Sequence, residues 1–151
     1  MGIKYIEGDI FDQKVTAIVN TVNCVGVMGK GLALQFKKKY PENFSFYKSA
    51  CDDNRVRPGK MLIFDRGGNK SPRFLINFPT KDDWRNPSKL EYVETGLIDL
   101  IKRIQELNIK SIAVPALGCD LGKLDWNIVK DVMNKHFQLL TKTEVTILLP
   151  R

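Results

Sequence analysis

The sequence predicts an α/β fold, a three-layer α/β/α sandwich with a mixed six-stranded sheet. Short apolar, β-branched runs recur as "IKYIE", "VTAIVN", "KMLIFD", "RFLINF", "SIAVP" and "EVTILL". Several are apolar at consecutive positions instead of alternating, the pattern of strands covered on both faces. Helical segments separate them in the order β-β-α-α-β-β-α-β-α-β, and doubly buried strands alternating with helices are satisfied by helices on both sides of one sheet. Where two strands follow one another directly, the sheet is expected to be mixed, not purely parallel.

Taken in order, the first two strands lead into "GLALQFKKKY" and "PENFSFYKSAC", helical stretches divided at Pro41, which suits a first-turn position. The third and fourth strands flank "DRGGNKSPR", a hairpin-like turn with Gly67 and Gly68 at the bend. "SKLEYVETGLIDLIKRIQELN" opens with Ser88 and Glu91 at capping-box spacing and places Leu90, Val93, Leu97, Leu100, Ile101 and Ile104 on one face. After "SIAVP", the segment "DWNIVKDVMNKHFQLL" starts at Asp125, an N-cap residue, and repeats Val129, Val132, Met133, His136, Phe137 and Leu140 at helical spacing. With no internal repeat, low-complexity tract or linker, the 151 residues read as one domain, 1–151.

Composition narrows the function classes. At 43% hydrophobic and 27% charged the chain is globular in type, and no apolar run approaches the roughly 18 residues of a membrane span. "MGIKYIEGDIF" has no signal-peptide core, so no membrane partner is expected. Three widely spaced cysteines, Cys24, Cys51 and Cys119, suit a reducing cytoplasm and form no ligand cluster. The one histidine, His136, lies on a packed helix face as a packing or helix-end residue, which excludes sites built from several histidines; no metal is expected. The formal charge of +7 fits either a polyanionic partner such as nucleic acid or a merely soluble basic surface.

In open α/β sheets ligands sit beyond the carboxyl ends of strands. "EGDIF", "NTVNCVGVMGKG", "NFPTKDDW" and "PALGCDLGKLDW" hold such places, and packing does not explain their residues. The second is glycine-rich but is neither a Walker A loop, which needs glycine at Cys24 and Ser or Thr at Gly31, nor a GxGxxG fingerprint, since Gly26, Gly29 and Gly31 read GxxGxG. Amides before a helix still attract anions, and Gly118 and Gly122 offer a second such loop before the helix at Asp125. Two such loops at equivalent strand ends would clasp a diphosphate. Asp9 is either an acceptor for an exocyclic amine such as adenine N6 or a turn and cap residue. Asn20 and Asn23 would bond sugar hydroxyls or stabilise their loop.

Together, "EGDIF", "AIVNTVNCVGVMGKGLALQFKKKYPENF", "INFPTKDDWRNPSKLEYVETGL" and "IAVPALGCDLGKLDW" resemble a macrodomain over essentially the whole chain. The more general family pattern, Asn-Ala-Ala-Asn followed by three glycines, is replaced by "NTVN" and "GVMGKG", which resembles the branch of DarG-type DNA ADP-ribosyl glycohydrolase antitoxins and terminal ADP-ribose protein glycohydrolases. The resemblance implies ADP-ribose as ligand and product, with no cofactor. Asp9 would take the adenine amine beside the Ile10 amide. Gly26, Val27, Met28, Gly29, Lys30 and Gly31 would line the diphosphate from one side, and Leu117, Gly118, Cys119, Asp120, Leu121 and Gly122 from the other. Asn23 would face the distal ribose, and Asn20 and Thr80 would belong to the same ligand site.

The resemblance also singles out Lys81, either as nucleophile at the ribose C1″ or as an electrostatic and proton-transfer group, in place of an ordinary solvated lysine. Lys30 then loses the part a P-loop lysine would have. Gly122 stands where the protein-directed glycohydrolases place a catalytic aspartate, which favours the DNA-directed reading. Asp120 would partly substitute or would crowd the loop. Asp82 and Asp83 read as acid/base groups or as surface turn residues. Trp84 would stack on a substrate base or pack against the next helix, and Arg85 and Lys89 would meet a DNA backbone. The expected activity is removal of ADP-ribose from thymidine in single-stranded DNA, reversing a cognate ADP-ribosyltransferase toxin. The alternatives are hydrolysis from protein carboxylates, ADP-ribose 1″-phosphate phosphatase activity, and a non-catalytic ADP-ribose reader.

Overall fold

A computed structural model describes residues 2–151. Six strands, β1 (Ile3–Ile6), β2 (Ala17–Val22), β3 (Leu62–Asp65), β4 (Phe74–Pro79), β5 (Ser111–Val114) and β6 (Glu144–Leu148), form one sheet in the order β1-β6-β5-β2-β4-β3. All neighbours are parallel except β3, which pairs antiparallel with β4 across the expected hairpin. There the bidentate Arg73–Asp65 pair and Gly67, at φ +107°, close the turn. The mixed sheet follows from this one short connection.

Alternation sorts each strand's side chains into two layers. Ala17, Val19, Ile76, Phe78, Ile112 and Val114 face the larger core, under α3 (Leu90–Glu106) and α4 (Trp126–Phe137). Ile18, Leu75 and Ala113 face the other way, against Phe36 of α1 (Gly31–Lys39). A third cluster, including Val22, Met28, Tyr47 and Cys51, lies beneath α2 (Pro41–Asp52). All six residues of β4 are buried, which is why its sequence does not alternate. A short helical turn, Ile10–Asp12, follows β1.

Helix starts confirm two of three expectations. Pro41 occupies the first turn of α2, and Asp125 caps α4 by accepting from the Asn127 amide at 2.9 Å. Ser88 does not cap α3: the N-cap is Lys89, without a side-chain bond, and the Ser88 hydroxyl is buried without a partner. Its amide instead donates to the Gly122 carbonyl at 3.0 Å, drawing the residue towards the loop after β5. His136 lies in the last turn of α4 with Nδ1 2.8 Å from the Val132 carbonyl, a helix-end role. Among the described residues no helix is long and apolar enough to cross a membrane.

Candidate active site

Because β1, β6, β5, β2 and β4 are parallel, their carboxyl ends share one edge, and the loops holding Asp9, Asn23, Lys81 and Gly118 all leave from it. The chain runs from β5 through α4 to β6 on one side, and β2 and β4 lie on the other. The switch point therefore falls between β5 and β2, the place where sheets of this kind bind ligands. Both glycine-rich loops flank it. From the end of β1 to the end of β4 is four strand spacings, roughly 19 Å, the reach of an elongated ligand.

The loop after β2 is pinned from within. The Asn23 Oδ1 accepts from the amides of Val25 (3.1 Å) and Val27 (3.3 Å), and its Nδ2 donates to the Val27 carbonyl at 2.7 Å. The buried Tyr47 hydroxyl, 2.7 Å from both the Asn23 carbonyl and Oδ1, secures the same residue from α2. Gly26 turns the chain at φ +88°, with the Lys48 side chain 3.1 Å from where a Cβ would stand. Met28 is buried in the cluster under α2, so this residue offers its backbone, not its side chain, to a ligand. The loop ends at Lys30, the N-cap of α1, and no side chain caps that helix. Its first-turn amides therefore retain the donor capacity and partial positive charge that suit an anion.

The loop after β5 folds back through bonds from the Leu124 amide to the Gly118 carbonyl (2.9 Å) and from the Ser88 amide to the Gly122 carbonyl. Gly118 sits at φ +72° and its carbonyl neighbourhood leaves no room for a side chain at Gly122. The two loops meet: Leu121 Cδ1 lies 3.0 Å from the position a Cβ on Gly31 would take.

Lys81 stands at that meeting. Thr80 is buried, and its amide donates to the Val22 carbonyl at 3.0 Å, extending the β2–β4 pairing past the strand ends. The Cys24 amide donates to the Asp82 carbonyl at 3.0 Å, and the Cys24 thiol donates to the Lys81 carbonyl at 3.4 Å. Lys81 Nζ reaches across to donate to the Leu121 carbonyl at 3.4 Å. Burial lowers the Lys81 pKa from its ordinary value, and the charge of Lys123 lowers it further. Both effects favour a neutral, nucleophilic amine. Thiols in the same region go the other way: burial, with Cys51 and Asp82 adding to it, pushes Cys24 up to about 12, and burial with Asp120 and Asp125 pushes Cys119 up to about 11. Protonated at neutral pH, they are poor nucleophiles.

Other expected residues fall less uniformly. Asp9 caps the short turn after β1, one oxygen accepting from the Phe11 amide at 2.9 Å, with buried Ile10 next to it. Asn20 departs from expectation. It lies within β2, fully buried, its Nδ2 3.4 Å from Asn77 Oδ1 and 3.8 Å from Met28 Sδ, so the strand pleat turns it into the protein and away from a sugar. Asn77 is held in turn by Asn43 at 2.9 and 3.1 Å. Asp120 is exposed, and its carboxylate accepts from the Arg151 amide at 3.1 Å. Asp82 and Asp83 accept from turn amides, and Arg85 holds Asp83 down to about 2, so Asp83 is a fixed carboxylate and no proton donor.

Trp84 lies between β4 and α3. It is 51% exposed with the Arg85 guanidinium 5.6 Å from its ring centre, three residues from Lys81. Tyr47, Ser88 and Lys123 were not expected at the site; only "GKL" at Lys123 offered a signal, a residue beside a loop glycine. Among the described residues no group of three or more His, Cys, Asp or Glu side chains is placed to hold a metal ion.

The Macro domain family model matches residues 19–133, which include the loops after β2, β4 and β5. The chain belongs to the macrodomain family. This macrodomain is 52% identical over 98% of its length to a protein named DNA ADP-ribosyl glycohydrolase from Mycobacterium tuberculosis, and spans 42% of that relative. It superposes on the Mycobacterium tuberculosis DarG macrodomain with TM-score 0.96 at 51% identity, covering 99% of this chain and 98% of the other. It also matches Thermosipho africanus DarTG in complex with ADP-ribose, TM-score 0.91 at 35% identity, covering 98% of this chain and 41% of that one. The macrodomain thus corresponds to about two-fifths of the length of the curated relatives it matches.

Proposed function

We propose that the chain is a hydrolase that binds ADP-ribose and removes it from ADP-ribosylated thymidine in single-stranded DNA. In this reading it acts in the cytoplasm as the antitoxin of a DNA-modifying ADP-ribosyltransferase. The observation that supports it most is Lys81, a lysine of lowered pKa whose Nζ bridges to the Leu121 carbonyl where two amide-rich loops touch. The names of the Mycobacterium tuberculosis relative and of a Thermosipho africanus DNA ADP-ribosyl transferase–DNA ADP-ribosyl glycohydrolase fusion protein, 35% identical over 96% of this chain, support the substrate and the toxin partner.

The roles follow from position. The loop Gly26–Gly31 and the uncapped start of α1 receive the diphosphate with Leu117–Gly122 opposite, Asp9 offers its free carboxylate oxygen to the adenine amine, and Asn23 holds the loop next to the distal ribose. As nucleophile, the neutral Lys81 amine forms a bond to C1″ while the C1″–thymine nitrogen bond breaks. The bonding pair leaves with the base, which takes up a proton, and water then releases ADP-ribose and restores the amine. As an electrostatic group, Lys81 instead stabilises charge while water attacks C1″ directly. Exposed Trp84 offers a face on which a neighbouring base stacks, and Arg85 and Lys89 add positive charge along the strand.

The test is an assay panel: thymidine-ADP-ribosylated oligonucleotide, glutamate-ADP-ribosylated protein and ADP-ribose 1″-phosphate, each with the parent chain and Lys81→Ala. Turnover of the oligonucleotide, lost in Lys81→Ala while ADP-ribose binding persists, is the expected result. Tight ADP-ribose binding without turnover of any substrate refutes the hydrolase and leaves a reader.

A further inference from the structure

Ser88 is 5% exposed, and its hydroxyl has no partner among the described residues, although a buried unpaired hydroxyl costs stability that alanine would spare. It stands at the base of the loop after β5. A Cβ built on Gly122 would collide with the Ser88 Oγ and the Gly118 carbonyl oxygen, and would lie 2.8 Å from the Gly118 carbonyl carbon. The Ser88 side chain also stands against Gly118: its Cβ is 3.1 Å, and Leu124 Cδ1 2.7 Å, from where a Cβ of Gly118 would be, so removing that side chain gives the Gly118 carbonyl room to shift. The Ser88 amide meanwhile ties the Gly122 carbonyl at 3.0 Å. Gly122 directly follows Leu121, whose carbonyl accepts from Lys81 Nζ, which places position 122 next in chain to the lysine's acceptor.

We propose that Ser88 is a specificity-determining positioning residue: it braces the loop Leu117–Gly122 so that position 122 admits no side chain, which keeps a carboxylate from standing there beside Lys81. The inference rests on the reading of Lys81 as the catalytic residue. A carboxylate there would pair with the amine and hold it protonated. The charge acting on Lys81 in the present site is that of Lys123, from the same loop, and it has the opposite effect. From the β2 loop the contact is the Cys24 thiol on the Lys81 carbonyl. The brace thus commits the site to chemistry led by lysine without an acid partner.

The test compares Gly122→Ala, Ser88→Gly and their double variant, then Ser88→Gly/Gly122→Asp and Ser88→Gly/Gly122→Asn. Gly122→Ala is expected to weaken ADP-ribose binding at least about tenfold, and the added Ser88→Gly to recover most of that loss, a coupling that independent sites do not show. In the unliganded protein, the Lys81 titration followed by NMR should move to higher pH in the Asp double variant and not in the Asn one. Normal ADP-ribose binding by Gly122→Ala, strictly additive effects of the two substitutions, or identical Lys81 titration in the Asp and Asn variants would each overturn the proposal. Binding and titration need no turnover, so failure of the hydrolase reading shows separately, as absence of oligonucleotide cleavage by the parent chain.

Discussion

Tyr47→Phe isolates the hydroxyl that secures the loop after β2 from α2. The ring is fully buried and phenylalanine fills the same space, so packing is retained. What goes is one proton shared by the Asn23 carbonyl and Oδ1, each 2.7 Å away. Oδ1 keeps the Val25 and Val27 amides, whereas the carbonyl loses this donor inside the protein. A buried neutral hydrogen bond contributes about 1 kcal/mol net, and stranding an acceptor raises the cost, so about 1.5 kcal/mol is expected. For a chain of this size that lowers Tm by about 3–6 °C. If the same energy separates the pinned loop from an unpinned one, ADP-ribose affinity falls by up to about tenfold. Differential scanning and titration calorimetry measure both on one sample. A lowered Tm with unchanged Kd would refute the argument that this hydroxyl orders the loop, and an unchanged Tm would refute the value given to the bond itself.

Three further outcomes follow from other parts of the molecule. If the neutral Lys81 amine attacks, kcat/KM on the oligonucleotide rises with pH through a pKa below that of free lysine, and Lys123→Ala, which removes a repelling cation, moves that rise to higher pH; a profile indifferent to Lys123 contradicts the coupling. Gly96→Ala places a methyl against the buried Phe78 ring, and overpacking of about 1–3 kcal/mol outweighs the helix propensity gain of up to about 1 kcal/mol, so Tm should fall, while a rise would show that the ring moves freely. Asp65, held down to about 2 by Arg73 and the Gly67 amide, gives a contribution to stability that is present above the ordinary carboxylate pKa and lost only as pH falls through about 2; carboxyl NMR should record that low titration and its return upward in Arg73→Ala.

The fold was legible because its strongest determinants are periodic. Consecutive apolar residues in "RFLINF" announce a strand covered on both faces, and β4 is buried throughout. "DRGGNKSPR" announces the single antiparallel pair. Failures came where a residue's role is decided by a distant segment. Ser88 and Glu91 have capping-box spacing, yet the loop after β5 claims Ser88 through its amide and seals its hydroxyl against Gly118 and Gly122. Asn20 opens a motif, "NTVN", that looks ligand-facing, but the pleat turns it inward to Asn77, distant in sequence and paired by β2–β4 register.

The site was legible to the extent that backbone forms it, since glycines before helices mark amide-lined loops wherever they occur. Side-chain roles were harder, because a lysine in "NFPTKDDW" is indistinguishable from a solvated charge until the Leu121 carbonyl, the Cys24 thiol and Lys123 stand around it. Gly122 inverts the usual inference. In sequence it reads as a missing acid, a position from which a functional group has gone. In the fold a side chain there would meet the Ser88 hydroxyl and the Gly118 backbone. An acid could not be restored there by substitution at 122 alone; the Ser88 brace would have to go with it, so the absence of a carboxylate at 122 is a property of the packing and not of one residue.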